Sequence, residues 1–303
     1  MLSITCISLL FQACLTVPVP WREDRASGPE DFDNHHVSWS PDGRWLAFDS
    51  NQFGNADVFV IRVDGTERRR LTSDPGDDVA PVWSPDGSHL AFQSERQGSK
   101  DLYIIRADGS DLVRVTNFNP GAGRPTWSPG GKKLAFTWYT VSPQTVVLIG
   151  ADGKGQRKLA PGLALDHRVP GWSPDGRFIA LSAEVDGNED LYLVEITKAQ
   201  DRDTWIRLTS HEGWDGVPNW SLDGTRIAFM SNRHGHWDIF VATLANRSIK
   251  RLSFHPKDDA MPVWSPDGKR LAFEANRTGS RQIFLIDADG QNEIQVTGKR
   301  PPE

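Results

Sequence analysis

The sequence predicts an all-β protein, a six-bladed β-propeller with four antiparallel strands in each blade. A phrase of the form Trp-Ser-Pro-Asp-Gly recurs six times along the 303 residues, and each copy is followed by a short apolar strand. The copies are separated by 44, 44, 45, 48 and 44 residues, a period typical of one four-stranded blade. Their tryptophans are Trp39, Trp83, Trp127, Trp172, Trp220 and Trp264.

The first strand of each repeat ends at this tryptophan. A proline such as Pro81 stands two residues before the tryptophan in five repeats, and Val37 takes that place in the first. Because proline has no N–H to donate, it is tolerated at the edge of a sheet. We therefore expect the tryptophan strand to be the innermost strand of each blade, lining a central channel.

The remaining strands follow in order. Ser-Pro-Asp-Gly predicts a hairpin turn, and Gly130 and Leu222 depart from it in repeats three and five without removing the glycine. The second strand alternates in polarity and the third follows about ten residues later, after which dipeptides such as Asp64-Gly65 predict the turn into the fourth. An insertion at 198–204 lengthens repeat four.

Composition excludes several classes of protein. A formal net charge of −6 argues against nucleic-acid binding, which selects basic surfaces. The two cysteines, Cys6 and Cys14, both precede the repeats, so we expect no disulfide within the propeller. No stretch after the first residues reaches the length of a transmembrane helix. We expect a soluble body and a monomer.

The apolar residues at the N-terminus indicate how the chain is divided into segments. We predict a signal peptide at 1–20, an N-terminal extension at 21–35 and the propeller at 36–303, and hence a periplasmic or secreted protein. Residues 11–14, Phe-Gln-Ala-Cys, are similar to a bacterial lipoprotein cleavage box, which gives lipid anchoring at Cys14 as an alternative. An ordinary signal cysteine, discarded on cleavage, is the favoured interpretation.

The whole repeat resembles that of the TolB family of propellers. The resemblance rests on Trp-Ser-Pro-Asp-Gly, an Ile/Leu-Ala-Phe strand, Asp-Ile/Leu-Tyr/Phe, Asp-Gly and a closing Leu-Thr, and it covers about 260 of the 303 residues. It implies a propeller that engages protein partners in the bacterial envelope. This repeat also builds the propellers of tricorn-type and prolyl-oligopeptidase-type peptidases and of oligogalacturonate lyases.

Motifs for hydrolysis are absent from the sequence. No Gly-x-Ser-x-Gly elbow occurs in these residues, and we expect no appended hydrolase domain beside the six repeats. His211-Glu212 begins like a zinc-protease helix, but Asp215 stands where the second histidine would be, and a loop is expected there. A peptidase is therefore not expected.

The candidate site is one mouth of the channel, where the loops leading into the innermost strands converge. Asp78, Asp215 and Asp259 recur five residues before a tryptophan and would make an acidic rim for a basic partner or a cation. The alternative is that each aspartate only holds its own loop. Trp214 lies beside the rim. Three further candidates are histidines that do not follow the repeat pattern: His35, His36 and His167.

These observations predict a non-catalytic, protein- or peptide-binding propeller of the bacterial envelope, with no cofactor. The alternative, drawn from the resemblance to oligogalacturonate lyases, is a metal-dependent carbohydrate lyase with a divalent cation held by histidines at the channel mouth. A purely structural scaffold is the third possibility.

Overall fold

The computed structural model describes residues 32–139, 144–159, 169–185 and 187–298. These residues form six four-stranded antiparallel sheets in which the strands follow chain order from one edge to the other. The predicted six-bladed propeller is confirmed. The predicted signal peptide lies outside the described residues, as do Cys6, Cys14 and all but the last residues of the N-terminal extension.

The first three blades are as follows. Blade 1 contains β1 (Asn34–Trp39), β2 (Trp45–Ser50), β3 (Asp57–Arg62) and β4 (Arg69–Arg70). Blade 2 contains β5 (Asp78–Trp83), β6 (His89–Ser94), β7 (Asp101–Arg106) and β8 (Val113–Arg114). Blade 3 contains β9 (Ala122–Trp127), β10 (Lys133–Trp138), β11 (Thr145–Gly150) and β12 (Arg157–Leu159).

The last three blades repeat this plan. Blade 4 contains β13 (Gly171–Trp172), β14 (Phe178–Val185), β15 (Asn188–Glu195) and β16 (Ile206–Arg207). Blade 5 contains β17 (Asp215–Trp220), β18 (Arg226–Ser231), β19 (Asp238–Thr243) and β20 (Ser248–Arg251). Blade 6 contains β21 (Asp259–Trp264), β22 (Arg270–Ala275), β23 (Gln282–Asp287) and β24 (Ile294–Gln295).

The insertion in blade 4 forms two 3₁₀ helices, Ile196–Lys198 and Arg202–Thr204. Between them Ala199 is buried, and Trp205 packs edge-on against Tyr192 of the same blade. The insertion is therefore folded onto its own blade. No helix among the described residues has the length and hydrophobicity needed to cross a bilayer.

The hydrophobic core lies between the blades. On β2, Leu46 and Phe48 pack against blade 6, whereas Ala47 belongs to the cluster shared with blade 2. Alternate side chains of a strand point to opposite faces of its sheet, so one strand serves both interfaces. The alanine of each second strand is completely buried, as expected for a close contact: Ala47, Ala91, Ala135, Ala180, Ala228 and Ala272.

The ring closes between blades 6 and 1 without exchange of a strand. The N–H of Asn34 donates to the carbonyl of Arg281 at 2.9 Å, and the N–H of Arg281 donates to Asp33 Oδ1 at 2.6 Å. The same pair of bonds joins blades 1 and 2 and blades 5 and 6. The closing interface is therefore one more copy of the ordinary interface between blades.

Candidate functional site: the central channel

A central channel runs between the innermost strands of the six blades. Residues from β1, β5, β9, β13, β17 and β21, together with the turns after them, line a cavity of about 440 Å³. Each of these strands is an edge strand of its sheet. The prediction that the tryptophan strand lines the channel is confirmed.

Within the described residues, a β-bulge occurs in five of the innermost strands. The register of β1 against β2 shifts between His35 and Ser38, and corresponding shifts occur at β5, β9, β17 and β21. At each bulge one residue has a left-handed backbone, with φ between 51° and 54°. These residues, which we call the bulge ring, are His36, Ala80, Arg124, Val217 and Met261, and all five line the channel.

The bulge ring carries backbone strain. A left-handed conformation is unfavourable for residues with a Cβ, and above all for a β-branched residue such as Val217. Side chains of the preceding blade help to hold it: Asp49 accepts the N–H of Ala80 at 2.9 Å, and Glu274 accepts the N–H of His36 at 2.5 Å. Bulges re-aim side chains, and strain of this kind concentrates at functional sites. The ring is thus the strongest local candidate for function.

One end of the channel is bordered by the Ser-Pro-Asp-Gly turns. Their second residues form a ring of prolines, in which Leu222 of blade 5 is 65% exposed. The prolines are Pro41, Pro85, Pro129, Pro174 and Pro266. This mouth is therefore apolar and conformationally stiff.

The channel wall holds little charge. Its described residues include two ionisable side chains, His36 and Arg124, and no carboxylate. His36 Nδ1 lies 2.8 Å from Oδ1 of Asp49, which is buried. In a chain with a net charge of −6, the channel therefore has a neutral to positive lining.

The three aspartates predicted for the rim, Asp78, Asp215 and Asp259, begin β5, β17 and β21 and are fully buried. The guanidinium of Arg96 donates two hydrogen bonds to Asp78, at 2.8 and 3.0 Å. The equivalent pairs are Arg233 with Asp215 and Arg277 with Asp259. Burial raises the pKa of Asp78 and of Asp259, although the arginines oppose this shift.

The acidic rim expected from the sequence is therefore corrected. Each carboxylate faces its own arginine rather than solvent, so its charge is neutralised inside the blade. Whether these aspartates contribute to binding stays a prediction. Such a contribution would come from positioning the innermost strand rather than from an exposed negative charge.

Sequence reasoning missed the arginines, although a signal for them exists. An arginine stands 13 residues after the tryptophan in the three repeats that have aspartate five residues before it. Repeat one has Asn34 and Gln52 at these positions. In that blade Arg68 binds the first residue of the innermost strand: it donates to Asn34 Oδ1 at 3.2 Å and lies over the rings of Phe48 and Phe59.

The two adjacent histidines lie on β1, where His35 faces blade 6 and His36 faces the channel. His35 Nδ1 is 3.0 Å from Glu274 Oε2. Burial would lower the pKa of His35, but the hydrogen bond and charge of Glu274 raise it above 6.5. Burial would likewise raise the pKa of Glu274, but His35 lowers it to about 2. Each of the two histidines thus faces a buried carboxylate.

The other candidates are not brought into this cluster. Trp214 is half-buried and packs with Met230 and Trp237, and it is not among the described residues of the channel wall. His167 lies outside the described residues. Across the part of the chain that the structure describes, no three His, Cys, Asp or Glu side chains are arranged to hold a metal ion.

Comparison with known proteins identifies the repeat. The chain matches the family described as TolB beta propeller domain in three overlapping segments, 25–169, 122–255 and 206–300. Comparison with curated proteins finds no match.

Solved structures share the fold. TolB from Acinetobacter baumannii aligns with a TM-score of 0.71 and 17% identity, over 88% of this chain and 63% of that one. This chain thus spans less than two thirds of that protein. A protein provisionally identified as TolB from Agrobacterium tumefaciens aligns with a TM-score of 0.65 and 26% identity, over 76% of this chain and 84% of that one. An oligogalacturonate lyase in complex with manganese gives a TM-score of 0.58 and 15% identity, over 86% and 91%.

Proposed function

This chain belongs to the family of TolB beta propeller domains. We propose that it is a non-catalytic propeller that binds an extended segment of a protein partner in its central channel. The observation that carries the proposal is the bulge ring. In five blades the innermost strand is distorted at one repeat position, and the distorted residue lies in the channel wall.

The shape and chemistry of the channel support a peptide rather than a small polar ligand. Its wall combines prolines, indoles and aliphatic side chains with few charges. Hydrophobic and aromatic-lined grooves are recurring sites of peptide recognition. A stiff proline mouth also loses little conformational entropy when a ligand is bound.

We further propose that the protein works in the periplasm or outside the cell, as a monomer that binds no nucleic acid. The apolar segment 1–20 and the negative net charge support this proposal. Lipid anchoring at Cys14 is the alternative form of the mature protein.

The competing proposal is a metal-dependent lyase. It is favoured by the shared fold of the manganese-bound oligogalacturonate lyase, of which this chain spans 91%. Against it, both histidines already have a carboxylate partner: His35 pairs with Glu274 across the interface of blades 1 and 6, and His36 pairs with Asp49 of its own blade. Turnover of polygalacturonate in the presence of manganese would support the lyase.

The test uses a random peptide library displayed on phage and selected on the purified full-length protein. Peptides that bind wild type should lose at least tenfold in affinity for Met261→Trp, because the larger side chain fills part of the channel. The matched control is Ile249→Trp, on the exposed outer strand of the same propeller, which should bind as wild type does.

Two results would overturn the proposal. One is a set of selected peptides that bind both tryptophan variants equally well, which would place the site outside the channel. The other is depolymerisation of polygalacturonate by the manganese-loaded protein, lost on His35→Ala, because a binding propeller has no such activity. Thermal melts of each variant establish that the fold is retained.

A further inference from the structure

Arg124 differs from the other members of the bulge ring in its charge. The ring otherwise contains alanine, valine, methionine and His36, whose ring nitrogen is 2.8 Å from Asp49. Arg124 is half-buried in the wall of the channel, with a left-handed backbone (φ 54°) that is costly for any side chain with a Cβ. The fold thus places a guanidinium at a position from which it faces a largely apolar cavity.

Arginines elsewhere in the interior have partners. Arg96, Arg233 and Arg277 each bind a buried aspartate of the innermost strand, and Arg68 binds Asn34 and Ser50. Arg124, in contrast, has no ion pair, hydrogen bond or aromatic partner within the described part of the chain. Its charge is therefore uncompensated by the residues that surround it there.

The environment makes this charge available to a ligand. No carboxylate lines the channel in the described residues. The wall consists mainly of prolines, tryptophans and aliphatic side chains, and its polar members, such as Thr126 and Asn219, are uncharged apart from His36 and Arg124. Charge pairs are screened less strongly in a half-buried site than on an open surface. An arginine binds a carboxylate through two parallel N–H···O bonds, which fixes orientation as well as adding affinity.

We propose that Arg124 is the specificity determinant of the channel and pairs with an acidic side chain of the bound segment, flanked by apolar residues that contact the wall. The inference rests on the proposed function, because it names the chemistry of the peptide that the channel takes. Asp or Glu supplies the carboxylate, and the ring of prolines receives the neighbouring apolar side chains.

The phage library tests this inference. Peptides selected on wild type should be enriched in Asp or Glu at one position between apolar residues, whereas selection on Arg124→Gln should lose that enrichment. For a synthetic peptide from the wild-type selection, Arg124→Gln should weaken binding by about ten- to a hundredfold, the range for one hydrogen bond to a charged group. Arg124→Lys should restore part of the affinity. The same peptide with Asn or Gln in place of its acidic residue should bind wild type and Arg124→Gln equally weakly.

Arg106→Gln is the matched control for charge, because it removes one positive charge from an exposed position on β7. It should leave peptide affinity unchanged, and the melting temperature of Arg124→Gln should stay near that of wild type. Selected peptides without an acidic residue, or equal affinity for wild type and Arg124→Gln, would overturn the inference. If those same peptides still lose affinity for Met261→Trp, channel binding stands and the inference about Arg124 alone fails.

Discussion

Among single residues, each buried aspartate that begins an innermost strand pairs with an arginine at a fixed position of the same repeat. Where the innermost strand begins with a buried aspartate such as Asp78, an arginine of the same blade forms an ion pair with it. In blade 1 the strand begins with Asn34 instead, and Arg68, which directly precedes β4, donates a hydrogen bond to it. Leaving a charge unpaired in the interior costs several kcal/mol. The uncompensated Arg124 in the channel wall stands out against this pattern.

The pair of His35 and Glu274 predicts a pH dependence. The pKa of Glu274 is lowered from 4.5 to about 2, so its contribution to stability is present above pH 4.5 and is lost as the pH falls toward 2. The pKa of His35 is raised above 6.5, so its contribution is present below pH 6.5 and is lost as the pH rises through the folded value. The pair therefore stabilises the fold most strongly between about pH 4.5 and 6.5.

Denaturant unfolding across this range checks the prediction. The difference in unfolding free energy between wild type and Glu274→Gln should be largest between pH 4.5 and 6.5 and should shrink on either side. Glu184→Gln, at an exposed position on β14, should give a small difference at every pH. A Glu274→Gln profile parallel to that of wild type would show that the pair does not couple protonation to folding.

At the scale of elements, the Ser-Pro-Asp-Gly turn works as a small hydrogen-bonded unit. In blade 2, Ser84 Oγ donates to Asp86 at 2.6 Å, and Asp86 also accepts the N–H of Ser88 at 3.0 Å. These bonds lower the pKa of Asp86 to about 2. The glycine that follows has a positive φ, 71° at Gly87. Blade 3 has Gly130 in place of the aspartate but keeps the turn, with φ 66° at Gly131.

Restoring the aspartate should stabilise blade 3. A Cβ at Gly130 would meet no atom within 4 Å, and the carboxylate of Gly130→Asp can accept from Ser128 and from the N–H of Lys132 as in the other blades. One such bond and the loss of glycine's freedom in the unfolded chain together contribute about 1 kcal/mol or more. The melting temperature should rise by about 2–4 °C.

The adjacent glycine provides the control. Gly131 has φ +66°, so Gly131→Ala should destabilise by about 1–2 kcal/mol even though its Cβ would lie 3.7 Å from Pro85. A melting temperature that falls for both variants would contradict a stabilising role of the aspartate in this turn.

For the molecule as a whole, the propeller is a closed ring, and each core cluster formed by its described residues is shared by neighbouring blades. Blades 1 and 6 join through Val37, Trp39 and Phe48 on one side and Ile283 and Leu285 on the other. Because no strand is exchanged across this interface, the closure depends on side-chain packing and on the bonds of Asn34 and Asp33.

Removing one blade should therefore disrupt the ring. A chain truncated after Lys257 lacks blade 6 and leaves the apolar faces of blades 1 and 5 uncovered. We expect it to aggregate, because such patches exceed what a soluble monomer exposes. Size-exclusion chromatography and calorimetry are the measurements, and a monomer that melts cooperatively near the full-length temperature would contradict the closed ring.

The sequence predicted the fold well because every blade repeats the same local chemistry. Proline before Trp83 places its strand at an edge, the Ser-Pro-Asp-Gly glycine sets the turn, and the alanine between Leu46 and Phe48 fits the interface between blades. Each of these signals acts within a few residues, so each can be recognised without knowledge of the rest of the chain.

The candidate site was predicted less well, for a physical reason. Asp78 and its equivalents were expected in exposed loops before the innermost strands, whereas they begin those strands and are buried against Arg96 and its equivalents, 18 residues further along the chain. The bulge that puts Arg124 into the channel wall has no signature in a strand otherwise marked by Pro125 and Trp127. The number of blades, their strand order and the turns could be predicted from the sequence alone, because they follow from local patterns repeated six times. Which charges are neutralised and which face the channel is visible only in the folded chain, because the partner of a buried charge comes from another strand or another blade.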